Sequence, residues 1–250
     1  MNIQLQKEIE KLKKQILALS AKVENDVCMA VRAADNLDGT IAQDVVNREE
    51  ETNLMEVNVE EECLKILALH QPVASDLRYI VAVLKINQDL ERIGDLAVHI
   101  AERALFLCRQ PRIAIPVRLE QMANKTQHLL KKVLDAFVNF NETAAREVCA
   151  ADSEIDDMNQ EIFQQVKEII MQKPRQFEVL LQIMHISRHL ERIADHATNI
   201  AEDLIYLIEG NIVRHKTANA EGDTMRETRR VGAAGGAARA TLIPEGNSTC

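Results

Sequence analysis

The sequence has few of the residues that build β-sheets and tight turns. Its 250 residues include no Trp, two Tyr and five Phe, together with only eight Gly and five Pro. Glu, Leu, Ile, Ala and Lys dominate instead, and these residues favour helices over strands. The composition therefore predicts an all-α protein. The length allows one or two domains with a sizeable core, so folding does not require disulfides or a structural metal.

Long apolar runs and closely spaced cysteines are also missing. The longest unbroken apolar run, Tyr79 to Leu84, is far shorter than the roughly 18 residues of a membrane span. The five cysteines are odd in number and widely separated, without the Cys-x-x-Cys spacing of a zinc or redox site. Because no secretory signal peptide is recognisable either, this pattern predicts reduced thiols and a soluble, cytoplasmic protein.

Basic residues are fewer than acidic residues in this sequence. The chain has 30 Lys and Arg against 39 Asp and Glu, which gives a formal net charge of −9. This balance argues against nonspecific nucleic-acid binding and favours cations or basic partner surfaces as ligands. The sequence contains no glycine-rich phosphate loop, nucleophile elbow or zinc signature. We therefore expect a binding protein and not an enzyme.

Apolar periodicity predicts six long helices. Their predicted ranges are 3–36, 40–70, 73–108, 116–139, 142–171 and 175–209. The four prolines before residue 210 lie where the periodicity breaks, which suits helix starts and connectors. Residues 211–250 are rich in Ala, Gly, Thr and Arg and have few large apolar side chains, so we expect a disordered tail there.

An internal repeat organises the helical part of the chain. Leu90–Glu102 reads LERIGDLAVHIAE, and Leu190–Glu202 reads LERIADHATNIAE. Around both segments the apolar positions step by four and three, which predicts two helices with a buried seam. Gly94 aligns with Ala194, so a small residue is expected between helices at that position. The preceding helices also align, and each half, 1–109 and 110–210, is predicted to be an antiparallel three-helix bundle.

Acidic residues one helical turn apart recur in the two halves. The two helices that contain the repeated sequence LERI carry one pair each, and the helical period places each pair together on the outer face. The helix before each of these two carries another pair. Only one of these positions is an amide. The eight residues are Glu49, Asn53, Glu91, Asp95, Asp152, Asp156, Glu191 and Asp195.

Two interpretations of these pairs remain open from the pattern alone. Like charges at i and i+4 mildly destabilise a helix, so their recurrence requires either a solvated surface or a bound cation. Arg92, Arg188 and Arg192 lie close by and support the interpretation as a solvated surface with salt bridges. Oxygen ligands from two helices instead suit a hard metal ion. A ferritin-like di-iron centre is excluded, because no Glu is followed by His three residues later.

The motif QPVASDLR at Gln71–Arg78, followed by LERIGD and its second copy LERIAD, resembles the PhoU family of phosphate-signalling regulators. The resemblance covers residues 1 to about 210. It implies a cytoplasmic regulator that couples the ATPase subunit of the phosphate ABC transporter to the phosphate sensor histidine kinase and restrains both when phosphate is plentiful. It also implies homodimerisation, and contact with the membrane only through these partners.

The resemblance further implies multinuclear metal clusters, with iron expected first and manganese, magnesium or zinc as other ions. The matching positions, with the principal ligands first, are Glu91, Asp95, Glu191, Asp195, Asp152, Asp156 and Glu49. Asn53 departs from the acidic pattern, and an amide is a weaker ligand than a carboxylate, so the first-half site is expected to bind less tightly or to hold fewer ions. The alternative function is a metal- or phosphate-buffering helical protein without a signalling partner.

Other polar residues receive simpler predictions. Asp76 and Arg78 are candidate partner contacts, although Ser75 and Asp76, just after Pro72, also fit the first turn of a helix. The histidines at 99, 185, 189 and 196 do not recur between the repeats. We expect them to be surface or packing residues and not ligands.

Overall fold

Helices form every regular element of the described part of the chain, which comprises residues 3–111 and 117–210 of a computed structural model. The helices are α1 (Ile3–Asn36), α2 (Gly39–Asn47), α3 (Glu49–His70), α4 (Ala74–Leu107), α5 (Val117–Asn139), α6 (Glu142–Gln172) and α7 (Phe177–Glu209), with a 3-10 turn at Pro174–Gln176. The predicted all-α fold is confirmed. The tail predicted at 211–250 lies outside the described residues.

The single helix predicted over residues 40–70 is wrong, because the structure interrupts it at Arg48. Arg48 lies between the end of α2 and the start of α3, and its backbone N–H donates to the carbonyl oxygens of Val45 and Val46. Its guanidinium lies over α1, with Nη1 3.3 Å from Asp26 Oδ1. No proline or glycine marks the interruption, so local sequence does not predict it.

The same turn precedes α2 and α6, at equivalent positions of the two halves. Leu37 and Phe140 adopt left-handed backbone conformations with φ of 53° and 50°. Asp38 follows the first and accepts the backbone N–H groups of Thr40 and Ile41, while Asn141 follows the second and accepts that of Ala144. Side-chain caps of this kind satisfy the free N–H groups at a helix start. The repeat therefore extends from the core to the caps.

The predicted seam is the core of the fold. Helix α4 is packed by α1, α2 and α3, helix α7 is packed by α5 and α6, and α4 and α7 share the most extensive helix contact in the described residues. All predicted seam positions are buried except Val179, which is half-buried. On α4 they are Tyr79, Val83, Ile86, Leu90, Ile93, Ala97, Ile100, Ala104 and Leu107, and on α7 Val179, Ile183, Ile186, Leu190, Ile193, Ala197, Ile200, Leu204 and Leu207.

A small residue is required at Gly94, as predicted. A Cβ atom built at Gly94 would lie 3.3 Å from Thr52 Cγ2 on α3, which is tighter than an ordinary van der Waals contact. Its counterpart Ala194 on α7 is 1% exposed. In the described residues no helix is both long and apolar enough to span a membrane. The boundary between halves at 109/110 stays a prediction.

Candidate metal centre

Four of the predicted ligands come together where α6 meets α7. Asp152 and Asp156 project from α6, and Glu191 and Asp195 project from α7. Three are half-buried and Asp195 is the most exposed, so they line the margin of the helix contact and do not stand on the open outer face that the helical period predicted. The correction follows from packing, because α6 covers one flank of α7.

Mutual repulsion marks this acidic cluster, which we define as Asp152, Asp156, Glu191 and Asp195. Burial raises the pKa of Asp152, and the carboxylates of Asp156 and Asp195 raise it further. The pKa of Asp195 is raised by burial and then by Asp156. For Glu191, burial raises the pKa and the charge of Arg188 opposes the shift. Raised pKa values in a group of carboxylates indicate that negative charge there lacks full compensation.

Arg188 compensates one edge of the acidic cluster. Arg188 Nη1 lies 2.9 Å from Glu191 Oε2 and 3.0 Å from Oε1, as the salt-bridge interpretation expected. Asp152 Oδ1, by contrast, is buried without a hydrogen-bond partner in the described residues. One buried carboxylate oxygen therefore remains for an external donor or cation.

The first half arranges its carboxylates differently from the prediction. Burial raises the pKa of Glu91, and Asp95 raises it further, which places these two residues together as expected. Arg92 lies against both, with Nε 3.3 Å from Glu91 Oε2 and Nη1 3.9 Å from Asp95 Oδ2. Glu49 and Asn53 are exposed on α3.

Glu56 on α3 is an acidic neighbour that the sequence interpretation missed. Burial raises the pKa of Glu56, and the charges of Glu60 and Glu91 raise it further. Asn87 Nδ2 donates to Glu56 Oε1 at 2.8 Å. Glu56 follows Asn53 by three residues on the same helix, so continuing the acidic stripe by one more turn would have found it.

An equivalent polar pair in the second half was also missed. Asn159 on α6 aligns with Glu56 at the offset of 103 residues, and Ser187 on α7 aligns with Asn87 at the offset of 100. The Ser187 hydroxyl donates to Asn159 Oδ1. Including these positions, each half has four carboxylates and one amide: Glu49, Asn53, Glu56, Glu91 and Asp95, and Asp152, Asp156, Asn159, Glu191 and Asp195. The amide at Asn53 is thus balanced by the carboxylate at Glu56.

The donor chemistry of the acidic cluster fits a hard metal ion. All its charged donors are oxygens, and the unpartnered Oδ1 of Asp152 and the raised pKa values report a deficit of positive charge. Across residues 3–111 and 117–210, however, no group of three or more His, Cys, Asp or Glu side chains is placed to hold a metal ion. The ligand assignment of all eight residues stays a prediction.

Asp76 and Arg78 lie near the start of α4. Asp76 occupies the first turn, where an acidic side chain favours the helix dipole, as the helix-start interpretation expected. The guanidinium of Arg78 faces Gly210, and its Nε is buried without a hydrogen-bond partner in the described part of the chain. Their role in partner binding stays a prediction.

Comparisons with known proteins agree on one family. The PhoU domain profile matches residues 16–104 and 119–204. The phosphate-specific transport system accessory protein PhoU homolog of Pseudomonas aeruginosa is 40% identical over 215 residues, which cover 85% of this chain and 88% of that protein. The PhoU homolog of Pseudomonas putida is 37% identical over 240 residues, which cover 93% of each chain.

Solved structures are similar over nearly their whole length. The crystal structure of PhoU from Pseudomonas aeruginosa has a TM-score of 0.81 and 38% sequence identity, and the match covers 82% of this chain and 99% of that one. The phosphate transport system regulatory protein PhoU from Streptococcus pneumoniae has a TM-score of 0.74 and 29% identity, with 84% of this chain and 99% of that chain covered.

Proposed function

This chain belongs to the PhoU domain family, and on that premise we propose that it is an accessory protein of phosphate transport that restrains phosphate uptake and the phosphate-starvation response. Its proposed partners are the ATPase subunit of the phosphate ABC transporter and the phosphate sensor histidine kinase. In this proposal the protein is cytoplasmic, forms a homodimer and reaches the membrane only through its partners. Its role is binding and not catalysis.

The acidic cluster is the observation that supports a metal-dependent docking surface. Asp152, Asp156, Glu191 and Asp195 lie together at a helix contact, where burial and then the neighbouring carboxylates raise the pKa values of Asp152, Glu191 and Asp195. Carboxylates with perturbed pKa values cluster at functional sites. We propose that these residues hold metal ions, iron first and otherwise manganese, magnesium or zinc, and that the ions supply positive charge for binding a partner. Glu91, Asp95, Glu49 and Asn53, with Glu56, form the equivalent first-half site.

The proposal is tested with a neutralised variant of nearly unchanged shape. Protein purified without an affinity tag is analysed for bound metals and for binding to the purified ATPase subunit. We expect wild type to carry metal and bind the subunit, and the variant to lose both. The substitutions are Asp152→Asn, Asp156→Asn, Glu191→Gln and Asp195→Asn.

A matched control removes the same charge elsewhere. Four exposed carboxylates outside both proposed sites are neutralised, and metal content and partner binding should match wild type. The control substitutions are Asp44→Asn, Glu61→Gln, Glu168→Gln and Glu178→Gln. Equal metal content in wild type and the cluster variant would contradict metal binding. Loss of metal with unchanged partner binding would contradict docking through the metal and favour the alternative function of ion buffering.

A further inference from the structure

Helices α4 and α7 form an antiparallel pair whose contacts repeat under exchange of the two halves. Asn199 Nδ2 on α7 donates to Asp89 Oδ1 on α4 at 3.3 Å. At the offset of 100 residues, the counterparts of this pair are His99 on α4 and His189 on α7, and their rings stack with centroids 5.4 Å apart. A pseudo-twofold axis therefore relates the two ends of the α4/α7 seam, so each contact at one end has a counterpart at the other.

At one end of the seam, which we call the first end, basic side chains of each helix face acidic side chains of the other. Lys85 Nζ lies 3.2 Å from Asp203 Oδ1, and His196 Nδ1 lies 2.9 Å from Asp89 Oδ1. Both carboxylates are mostly buried, with side chains 2% and 14% exposed. Each buried carboxylate at this end has a basic partner from the facing helix.

The other end has bases where the first end has acids. Arg103 occupies the counterpart position of Asp203, and His189 occupies that of Asp89. His185 replaces Lys85 and stacks on His189, with ring centroids 6.4 Å apart. We define the basic cluster as His99, Arg103, His185 and His189. The exchange of two acids for two bases leaves this end without the carboxylates that balance the first.

Two nitrogen atoms of the basic cluster lack hydrogen-bond partners in the described part of the chain. Arg103 Nε and His189 Nδ1 are buried with no hydrogen-bond partner in the described residues. The ion pair that the cluster does form, between Arg103 Nη2 and Glu102 Oε2, is long at 3.8 Å. The cluster therefore combines a guanidinium that has a long ion pair with buried nitrogen atoms that lack a hydrogen-bond partner in the described residues.

The chemistry of the cluster selects an anion as its ligand. Three imidazoles alone would suit a transition metal, but the guanidinium of Arg103 repels a cation. A tetrahedral oxyanion instead accepts several N–H donors and pairs with the planar fork of Arg. We propose that the basic cluster binds a phosphate group, from inorganic phosphate or from a phosphomonoester lipid headgroup.

This inference rests on the proposed function only for the choice of phosphate among oxyanions. The anion site itself is inferred from the unpartnered nitrogen atoms at one end of the α4/α7 seam. If phosphate did not bind, the docking proposal would stand unchanged, because that proposal is tested on the acidic cluster with the ATPase subunit and without added phosphate.

Inorganic phosphate is the first probe. It is titrated into the full chain with isotope-labelled histidines at constant ionic strength, and the ring resonances are followed by NMR. We expect saturable shifts at His99, His185 and His189, with little change at His196 of the first end. Arg103→Gln should weaken binding about tenfold or more, because a hydrogen bond to a charged group is typically worth about 1.5–3 kcal/mol.

Two further variants separate a specific site from general charge. Arg103→Lys keeps the charge but loses the fork, so its affinity should fall between those of wild type and Arg103→Gln. Arg32→Gln removes a guanidinium from an exposed position on α1 and should bind as wild type does. Circular dichroism checks that each variant is helical. Shifts that do not saturate, or equal affinity in wild type and Arg103→Gln, would overturn the proposal.

Vesicles distinguish the source of the phosphate group. Phosphatidylcholine vesicles with and without phosphatidic acid are sedimented with wild type and Arg103→Gln. Phosphate titration without vesicle binding supports free phosphate as the ligand. Vesicle binding that requires phosphatidic acid and is lost in Arg103→Gln supports the lipid headgroup. Absence of both kinds of binding would overturn the proposal.

Discussion

Buried carboxylates of this protein differ in whether a positive charge compensates them. Glu62 on α3 is compensated: its side chain is 7% exposed, and it accepts hydrogen bonds from the ammonium groups of Lys11 and Lys65. Asp152 is not compensated, since one of its carboxylate oxygens has no partner in the described part of the chain. Compensated charge at Glu62 stabilises the fold, whereas uncompensated charge at Asp152 costs stability.

Neutralising one carboxylate of the acidic cluster should stabilise the metal-free protein. In Asp156→Asn the repulsion with Asp152 and Asp195 is removed. We expect the free energy of unfolding in chelator to rise by roughly 0.2–0.5 kcal/mol for each repulsive carboxylate pair that the substitution removes. Urea denaturation at pH 7 measures it. Asp157→Asn, at the exposed adjacent position, serves as the control, and an equal or lower stability of Asp156→Asn would contradict the repulsion.

Glu62 should stabilise the protein in a pH-dependent way. Burial alone would raise its pKa, but hydrogen bonds from Lys11 and Lys65 lower it below the ordinary value. A carboxyl with a lowered pKa contributes stability above its unfolded pKa of about 4.5, and this contribution is lost as the pH falls through the folded value. Glu62→Gln should therefore lose about 1–3 kcal/mol at pH 7 and progressively less below pH 4.5.

Denaturation of wild type and Glu62→Gln between pH 7 and pH 3 checks this dependence. The exposed Glu61→Gln removes the same charge on the same helix and should show little difference from wild type at any pH. A stability difference between wild type and Glu62→Gln that stays constant with pH would mean that the carboxylate charge is not what stabilises this contact.

At the scale of elements, close packing of α4 on α3 depends on the absence of a side chain. Gly94 lies in the middle of α4, where glycine normally weakens a helix by about 1 kcal/mol. Glycine is nevertheless suited to this position, because a Cβ atom would lie only 3.3 Å from Thr52 Cγ2. Thr52 also donates through Oγ1 toward the carbonyl of Arg48, the residue at which the helix is interrupted.

Filling the space at Gly94 should separate these helices. Gly94→Leu is expected to lower the free energy of unfolding by about 1–3 kcal/mol, because a well-packed core cannot admit additional carbon atoms without moving the backbone. Gly94→Ala should have a smaller effect, since the gain in helix propensity offsets a contact at 3.3 Å. Ala18→Leu on the exposed face of α1 is the control and should be nearly neutral in thermal denaturation.

How much of each element the sequence predicts depends on the range of the interactions involved. The buried positions from Val83 to Leu107 follow from a local apolar period, and the structure confirms them. The interruption at Arg48 depends on Asp26, 22 residues away on another helix, so a local pattern contains no trace of it. The neighbour relation of Glu56 and Glu91 also requires the relative placement of two helices, which a pattern within one helix does not give.

At the scale of the whole molecule, the α4/α7 seam connects the halves. Leu90 and Leu190 are fully buried at equivalent positions of this seam. Residues on both sides of the seam therefore share one core, and the described residues belong to a single compact unit. Cooperative unfolding of the whole helical part is expected from such an arrangement.

Truncating either leucine should shift one common transition. Leu90→Ala and Leu190→Ala are each expected to destabilise by about 2–5 kcal/mol, through reduced burial and the cavity that remains. Because the seam is shared, both variants should show a single transition, with the same midpoint whether it is followed by far-ultraviolet circular dichroism or by hydrogen exchange in each half. Two separate transitions, one for each half, would contradict a shared core.

The pseudo-twofold seam has a further consequence for how this protein can evolve. In a true homodimer, a substitution on one side of a symmetric interface appears on the other side as well, so an acid introduced at one end is introduced at both. Linking two copies in one chain removes that restriction, and the equivalent positions 89 and 189 hold an acid, Asp89, and a base, His189. A tandem chain can thus assign different ligands to two ends of what began as one contact, which no symmetric pair of identical subunits can do.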